Sequence, residues 1–357
     1  MEEKKKIKKP MAIWKLILTD ILLAAVCIGI FLLYHYIIPM KSSNSGTVIS
    51  QIDESNNFKL PSTEDSTSEE ETVSEEETTK RSSKRGSGNT GNTGTSVISS
   101  DSGDSSGISN ADKTTEVLEN YSDSNITFDI SKVELGSGND KITYYVADIY
   151  VTNVKYLLTA FSNGTYGKNI REDIVDMAND NNAVLAVSGD FYGNSEDGVV
   201  IRNGVLYRST LNDADICVLF TDGSLKTYSP DVFNADEVIA QGAWQAWTFG
   251  PAMLDGNGNV LSSFNTTSYL NKENPRCAIG YIAEGHYVLV VVDGRDDGYS
   301  KGATLTELAQ IMADEGCKTA YNLDGGKSAA MVYKGEFVNQ PVEGGRTLSD
   351  IIYIGGN

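Results

Sequence analysis

The hydrophobic and polar positions divide the chain into three regimes. An apolar run from Ile21 to Ile38, lengthened by Leu16 to Leu18 and broken only by Asp20, approaches the roughly 20 residues that span a bilayer. Five lysines in MEEKKKIKKP precede it and acidic sequence follows, an asymmetry that orients the N-terminus inward. The expectation is a single-pass type II anchor in the cell membrane with everything after Met40 outside. A cleaved signal peptide is the competing reading. The apolar core exceeds the usual length for one, and IIPMKSSNSG offers no small-x-small cleavage site. From Lys41 to Asn120 the pattern vanishes into Ser, Thr, Glu, Gly and Asn, as in STEDSTSEEETVSEEETT. Such a stretch has too little apolar surface to offset its ordering entropy and reads as a disordered tether.

Periodicity returns from about Tyr121 to Asn357, long enough for one substantial core. IRNGVLY, LFTDGSLKTY, AMLDGNGNVLS and MVYKGEFV set Asn-Gly, Asp-Gly or Lys-Gly between apolar residues, as tight hairpins require. The run Asp255 to Asn259 is read as a turn and not a calcium loop, because Val260 and Thr266 stand where glycine and a bidentate acid are needed. Two segments carry helical spacing. NIREDIVDMANDNN places Ile170, Ile174, Met177 and Ala178 on one face, and TLTELAQIMADEG has a Thr304 cap, Glu307 three residues on, and Gly316 as a stop. Each runs into a strand. The predicted fold is α+β, a mixed and largely antiparallel sheet with hairpin decorations and covering helices. The predicted organisation is tail and anchor at 1–40, linker at 41–120 and a folded domain at 121–357.

The net charge of −20 is carried by the acidic tether and domain, while the first 40 residues are net basic. Such a surface repels nucleic acid, which is excluded as a partner. The membrane is the expected partner of the N-terminal helix. Cys27 lies in the span, and Cys217, Cys277 and Cys317 are too few and too spread for a disulfide framework, leaving one disulfide or three buried thiols open. His35 lies in the apolar segment and His286 at a hairpin tip, so neither an HExxH zinc site nor a Ser-His-Asp set can be assembled. No cofactor is implied, and assistance by a divalent cation is left open.

Four segments place charged groups beside glycines where apolar runs stop: AVSGDFYG (186–193), NPRCAIG (274–280), VVVDGR (290–295) and YNLDGGKSAAM (321–331). Rigid strand ends of this kind hold polar groups in fixed positions. Together with TFGPAMLDG (248–256) and the closing GGRTLSDIIYI, these motifs resemble the phosphodiester glycosidase domain, in the same order, over Lys155 to Asn357. The resemblance implies that 121–357 is a catalytic domain whose partner is a carbohydrate phosphodiester or anionic glycan, with hydrolysis of a sugar phosphodiester such as one bearing N-acetylglucosamine, and bacterial members are often exopolysaccharide-related. Cys277, where threonine is usual, and Lys327, where glycine or serine is frequent, depart from the pattern and bear on substrate identity.

Cleaving a sugar C1–O bond needs a carboxylate to stabilise an oxocarbenium-like state, while a second normally protonates the departing oxygen. Phosphate already leaves well, and cations can take over much of the acid's work. The candidates are Asp190 and Asp324 as the carboxylate pair, Arg276 and Lys327 as phosphate ligands, and Gly325, Gly326 and Ser328 as close donors. Tyr192 is a candidate pocket wall or sugar-stacking residue, and Asn322 a residue that orients Asp324. Asp293 and Arg295 are read as a pocket floor or a buried ion pair, with Trp244 and Trp247 held as core or rim. Two further readings stand beside the glycosidase: a phosphodiesterase with metal held near Asp296 and Asp297, and a noncatalytic glycan-binding module on a stalk.

Overall fold

The computed structural model describes residues 13–61 and 113–355. The heart of the tether expectation, 62–112, lies outside the described residues. An N-terminal helix, Ile13–Tyr36, is followed by an α+β body in which every named strand pair is antiparallel. The expected mixed sheet is therefore antiparallel throughout the described strands.

Three sheets enclose the core. The first runs Thr319–Leu323, Arg276–Ala283, His286–Val292, Ile142–Val151, Ile126–Leu135 and Thr114–Ser122 in spatial order. The second runs Leu225–Tyr228, Ile216–Phe220, Ala243–Trp247, Val200–Arg202, Val205–Arg208 and Thr47–Val48. The third runs Glu336–Phe337, Met331–Tyr333, Ala183–Ser188, Asp350–Gly355 and Leu157–Phe161. Alternate residues of each strand meet in one cluster, with Phe128, Ile149, Leu289 and Leu323 from the first sheet, Leu219 and Trp247 from the second, and Val187, Met331 and Ile352 from the third. Period-two alternation makes this possible, since successive side chains leave a strand on opposite faces.

The outer faces are covered by the helices. Leu305–Asp314 starts at Thr304 with the reciprocal capping box that the sequence predicts, and Glu307 closes it. It lies over Gly280, where a Cβ would come 2.6 Å from Met312 Cε. The first predicted domain helix is shorter than its pattern, Ile174–Asp180. Upstream, Glu172 is drawn into a bridge with Leu348 and Asn169 takes a left-handed φ of 57°, so Ile170 lies outside the helix. A further short helix, Ala235–Ala240, is capped by Asn234.

Three hairpins form at their expected turns, with Asn203-Gly204 and Lys334-Gly335 both at positive φ. AMLDGNGNVLS makes a turn held by the single bridge Leu254–Val260, because the Asp255 side chain accepts from the Asn257 and Asn259 amides and closes the loop locally. Cys217, Cys277 and Cys317 are buried free thiols, so no disulfide forms among them.

The domain boundary differs from the predicted one. Residues 40–60 are seated on the domain: Met40–Lys41 pairs with Gly167–Lys168, Thr47–Val48 joins the second sheet, and Asn153 Nδ2 donates to the carbonyls of Asp53 and Asn56. Backbone pairing and the side chains of Ile49, Ile52 and Phe58, which pack against the core, seat a segment that composition assigns to the tether. Thr114–Ser122 likewise belongs to the first sheet.

Candidate active site

Three strands deliver their ends to one place. Cys277 pairs with Leu323 and Arg276 with Val292, which sets Arg276, Asp293 and Asp324 side by side at one edge of the first sheet. The third sheet is stitched to that edge: Asp324 N–H donates to the Gly189 carbonyl (3.0 Å) and Ser188 Oγ to the Asp324 carbonyl (2.9 Å). Glycine is required just after Asp324. A Cβ on Gly325 would come 2.6 Å from the Pro275 carbonyl oxygen, and Gly326 takes φ 63° to donate its N–H to the same carbonyl at 2.9 Å.

The turn forms one wall of a cavity of about 520 Å³ that is also lined by Arg276, Arg295, Lys327, Arg346, Phe191, Phe249 and Tyr269. Asp324 is nearly buried, and its Oδ2 accepts from Ser328 Oγ (2.6 Å) and Arg346 Nη2 (2.8 Å). Its Oδ1 takes no hydrogen bond from the described residues. Burial raises the Asp324 pKa, Arg346 and Ser328 oppose the rise, and the neighbouring Asp190 adds to it.

Arg276 is held by carbonyls alone, those of Ala303 (2.9 Å), Leu270 (2.7 Å) and Lys272 (2.5 Å). Among the described residues no carboxylate forms an ion pair with it. Burial lowers its pKa to about 10, so it stays charged at neutral pH. Arg295, at φ 59°, donates to Asn274 Oδ1 (2.8 Å), and Lys327 pairs with Glu343. Arg346 and Arg171 lie over the Phe191 ring at 5.0 and 5.7 Å, an arrangement in which the ring face attracts each cation. In a chain of net charge −20, this cavity gathers four cations around one carboxylate and is suited to an anion.

The other candidates lie elsewhere. Asp190, expected to share the hollow with Asp324, sits behind its wall: it accepts from the amides of Tyr192 (2.9 Å) and Thr248 (3.1 Å) and pairs with Arg202 at 3.0 Å. Arg202 also pairs with Asp350 at 2.7 Å, so two buried carboxylates share one guanidinium. Burial, with the neighbouring Asp190 adding to it and Arg202 opposing, pushes the Asp350 pKa up to about 8. The Tyr192 ring stacks on Tyr166 (5.3 Å) and borders a separate cavity of about 260 Å³, away from Asp324. Asn322 holds the Gly250 carbonyl (2.7 Å) and makes no hydrogen bond to Asp324.

Asp293 and Arg295 form no ion pair. Asp293 accepts from Asn339 (2.8 Å), Gln340 N–H (3.0 Å) and Tyr299 (2.9 Å), and borders a neighbouring cavity of about 370 Å³ that shares Arg295 with the first. Trp244 and Trp247 are core residues. Asp296 bonds within its own turn to Ser300, and among the described residues no group of three or more His, Cys, Asp or Glu is placed to hold a metal ion.

Sequence reasoning missed Arg346, Arg171, Arg202, Asp350, Phe191 and Phe249. Arg346 and Asp350 stand in GGRTLSDIIYI, where an arginine after two glycines and an acid opening a strand repeat the pattern that singled out the other motifs.

Comparison with known proteins agrees with this architecture. Residues 181–355 match the family model of the phosphodiester glycosidase, and the chain carries a domain of that family. It is 31% identical over 185 residues to the SPbeta prophage-derived uncharacterized protein YomE of Bacillus subtilis, covering 50% of this chain and 29% of that protein. It is 35% identical over 79 residues to the bovine (Bos taurus) N-acetylglucosamine-1-phosphodiester alpha-N-acetylglucosaminidase, covering 22% of this chain and 14% of that one. The chain thus spans less than a third of either relative. The zebrafish N-acetylglucosamine-1-phosphodiester alpha-N-acetylglucosaminidase catalytic domain, in a structure auto-inhibited by its pro-peptide, shares the fold, with a TM-score of 0.53, 18% identity, and coverage of 69% of this chain and 89% of that one. Family membership supports a glycosidase-type hydrolase.

Proposed function

We propose that this chain hydrolyses the glycosidic bond of a sugar 1-phosphodiester outside the cell, anchored by the one described helix long and apolar enough to cross a membrane, Ile17–Tyr36. The observation that carries the reading is Asp324, oriented through one oxygen and open through the other, in a cavity whose remaining charges are Arg276, Arg295, Lys327 and Arg346. The bovine relative's name supplies the sugar to try first, N-acetylglucosamine.

In this reading the cations bind the phosphate, and Asp324 faces the anomeric carbon. As C1–O breaks, the electron pair moves onto the phosphate oxygen, where the arginines lining the cavity stabilise it. Positive charge growing at C1 is met by the Asp324 carboxylate. A second carboxylate is not needed to protonate the leaving group, and the attacking water passes its proton to the departing phosphate or to solvent. Asp190 then acts by position: it fixes the Tyr192 and Thr248 amides that set Phe191 and Phe249 in the wall.

The test is hydrolysis of a synthetic N-acetylglucosaminyl phosphate methyl diester in isotope-labelled water. Label in the sugar and loss of turnover in Asp324→Asn are expected. Label in the phosphate would establish a phosphodiesterase instead, and absence of turnover would leave a glycan-binding module.

A further inference from the structure

Resting on that reading, we infer that the substrate is a membrane-borne one, a lipid whose phosphodiester headgroup carries the sugar. The helix is not separated from the domain by a tether. It ends at Tyr36, and four residues later Met40–Lys41 is already paired with Gly167–Lys168. Asn169, the next residue of that segment, donates from Nδ2 to the His35 carbonyl (3.0 Å) and the Ile38 carbonyl (3.3 Å), so the domain grips the helix end itself. The connection from the helix to its first pairing on the domain is thus only residues 37–39.

The same segment leads to the active site. Two residues beyond Asn169, at most about 7 Å of extended chain, Arg171 lies over Phe191, which lines the cavity of Asp324. A headgroup layer is about 5 to 8 Å deep on each side of the hydrocarbon core. Two residues of chain and one arginine side chain thus connect the grip on the helix end to a wall of the cavity, which keeps that wall within reach of the membrane surface. The cavity rim adds Tyr269, 69% exposed, and Leu270, 38% exposed, an apolar edge for the first methylenes of a lipid arm. Water's oxygen bonds to C1 of the sugar and its proton passes to solvent or the departing phosphate, the C1–O bond breaks with its electron pair on the phosphate oxygen, and the lipid phosphomonoester stays in the bilayer while the sugar leaves.

The experiment uses the full chain reconstituted in phosphatidylglycerol and phosphatidylethanolamine vesicles. Two diesters of the same sugar phosphate are compared, one with a dialkylglycerol arm in the same vesicles and one with a methyl arm in solution. An insertion of about 20 Gly and Ser residues between Ile38 and Pro39 adds about 25 Å of flexible reach. The wild-type chain should favour the lipid diester at least about tenfold, and the insertion should remove that preference while leaving methyl-diester turnover unchanged.

Equal turnover of the two diesters, an insertion without effect on the preference, or a faster reaction on a soluble phosphodiester-linked polysaccharide would overturn the inference. So would a mature chain lacking residues 13–36 by intact mass. In each of these cases methyl-diester hydrolysis would still stand as evidence for the glycosidase. Cleavage of neither diester would remove the glycosidase reading and this inference with it.

Discussion

The ionisation of Asp324 is set by opposing neighbours, and its pH response follows. Burial raises its pKa and Arg346 lowers it. If the carboxylate form meets the growing positive charge, activity appears as pH rises through that raised value. Replacing the counter-charge in Arg346→Met should move the acidic limb of kcat/KM to higher pH, and a limb that stays put or moves down would contradict the assignment. Arg276 offers a second test. Bound only to carbonyls, its charge is free for a phosphate, and charged hydrogen bonds contribute about 1.5 to 3 kcal/mol. Arg276→Lys should raise KM about tenfold or more with a smaller effect on the thermal midpoint, and inorganic phosphate should inhibit the wild type better than the variant. Asp324 and Arg276 were legible from strand-end motifs. Asp190 was expected in the same hollow as Asp324 and is instead buried against Arg202, because its partners Arg202 and Asp350 are remote in sequence.

At the scale of elements, local chemistry decides boundaries. The helix Leu305–Asp314 begins where Thr304 accepts from the Glu307 amide and Glu307 bonds back to the Thr304 amide at 2.8 Å. Thr304→Ala should cost about 1 kcal/mol in urea unfolding, with kcat unchanged because the cap touches no cavity residue. The hairpins at Asn203-Gly204 and Lys334-Gly335 were equally readable, since the positive φ they need is written into adjacent residues. The helix at Ile174 was overread upstream because the Glu172–Leu348 bridge competes for the same residues. Sequence spacing carries no trace of a partner so far along the chain.

For the molecule as a whole, the buried Asp190–Arg202–Asp350 group joins the second and third sheets behind the candidate site. Its titration gives a pH signature in stability. The Asp350 pKa stands at about 8 in the folded chain against an ordinary 3.8. Between those values the native state holds a proton that the unfolded state has lost, so the stability from this group is complete at low pH and declines as pH rises toward 8. Asp350→Asn, which cannot ionise, should flatten that decline in urea titrations at pH 5 and pH 8; an unchanged slope would rule the source out. Arg202→Met leaves two buried acids without their cation and should destabilise by about 3 to 5 kcal/mol.

The amino-acid sequence alone determined what depends on neighbours: the apolar N-terminal helix, the hairpin turns, the capped helix and the glycine-flanked charges at strand ends. Those features follow from side-chain period, backbone sterics and hydrogen bonds within a few residues. Tertiary structure decided which charges meet. It set Arg346 against Asp324, moved Asp190 behind the wall with Arg202, and seated residues 40–60 on the domain. Each of these joins residues far apart in the chain through geometry that exists only after the sheets have packed, and composition and period carry no term for it.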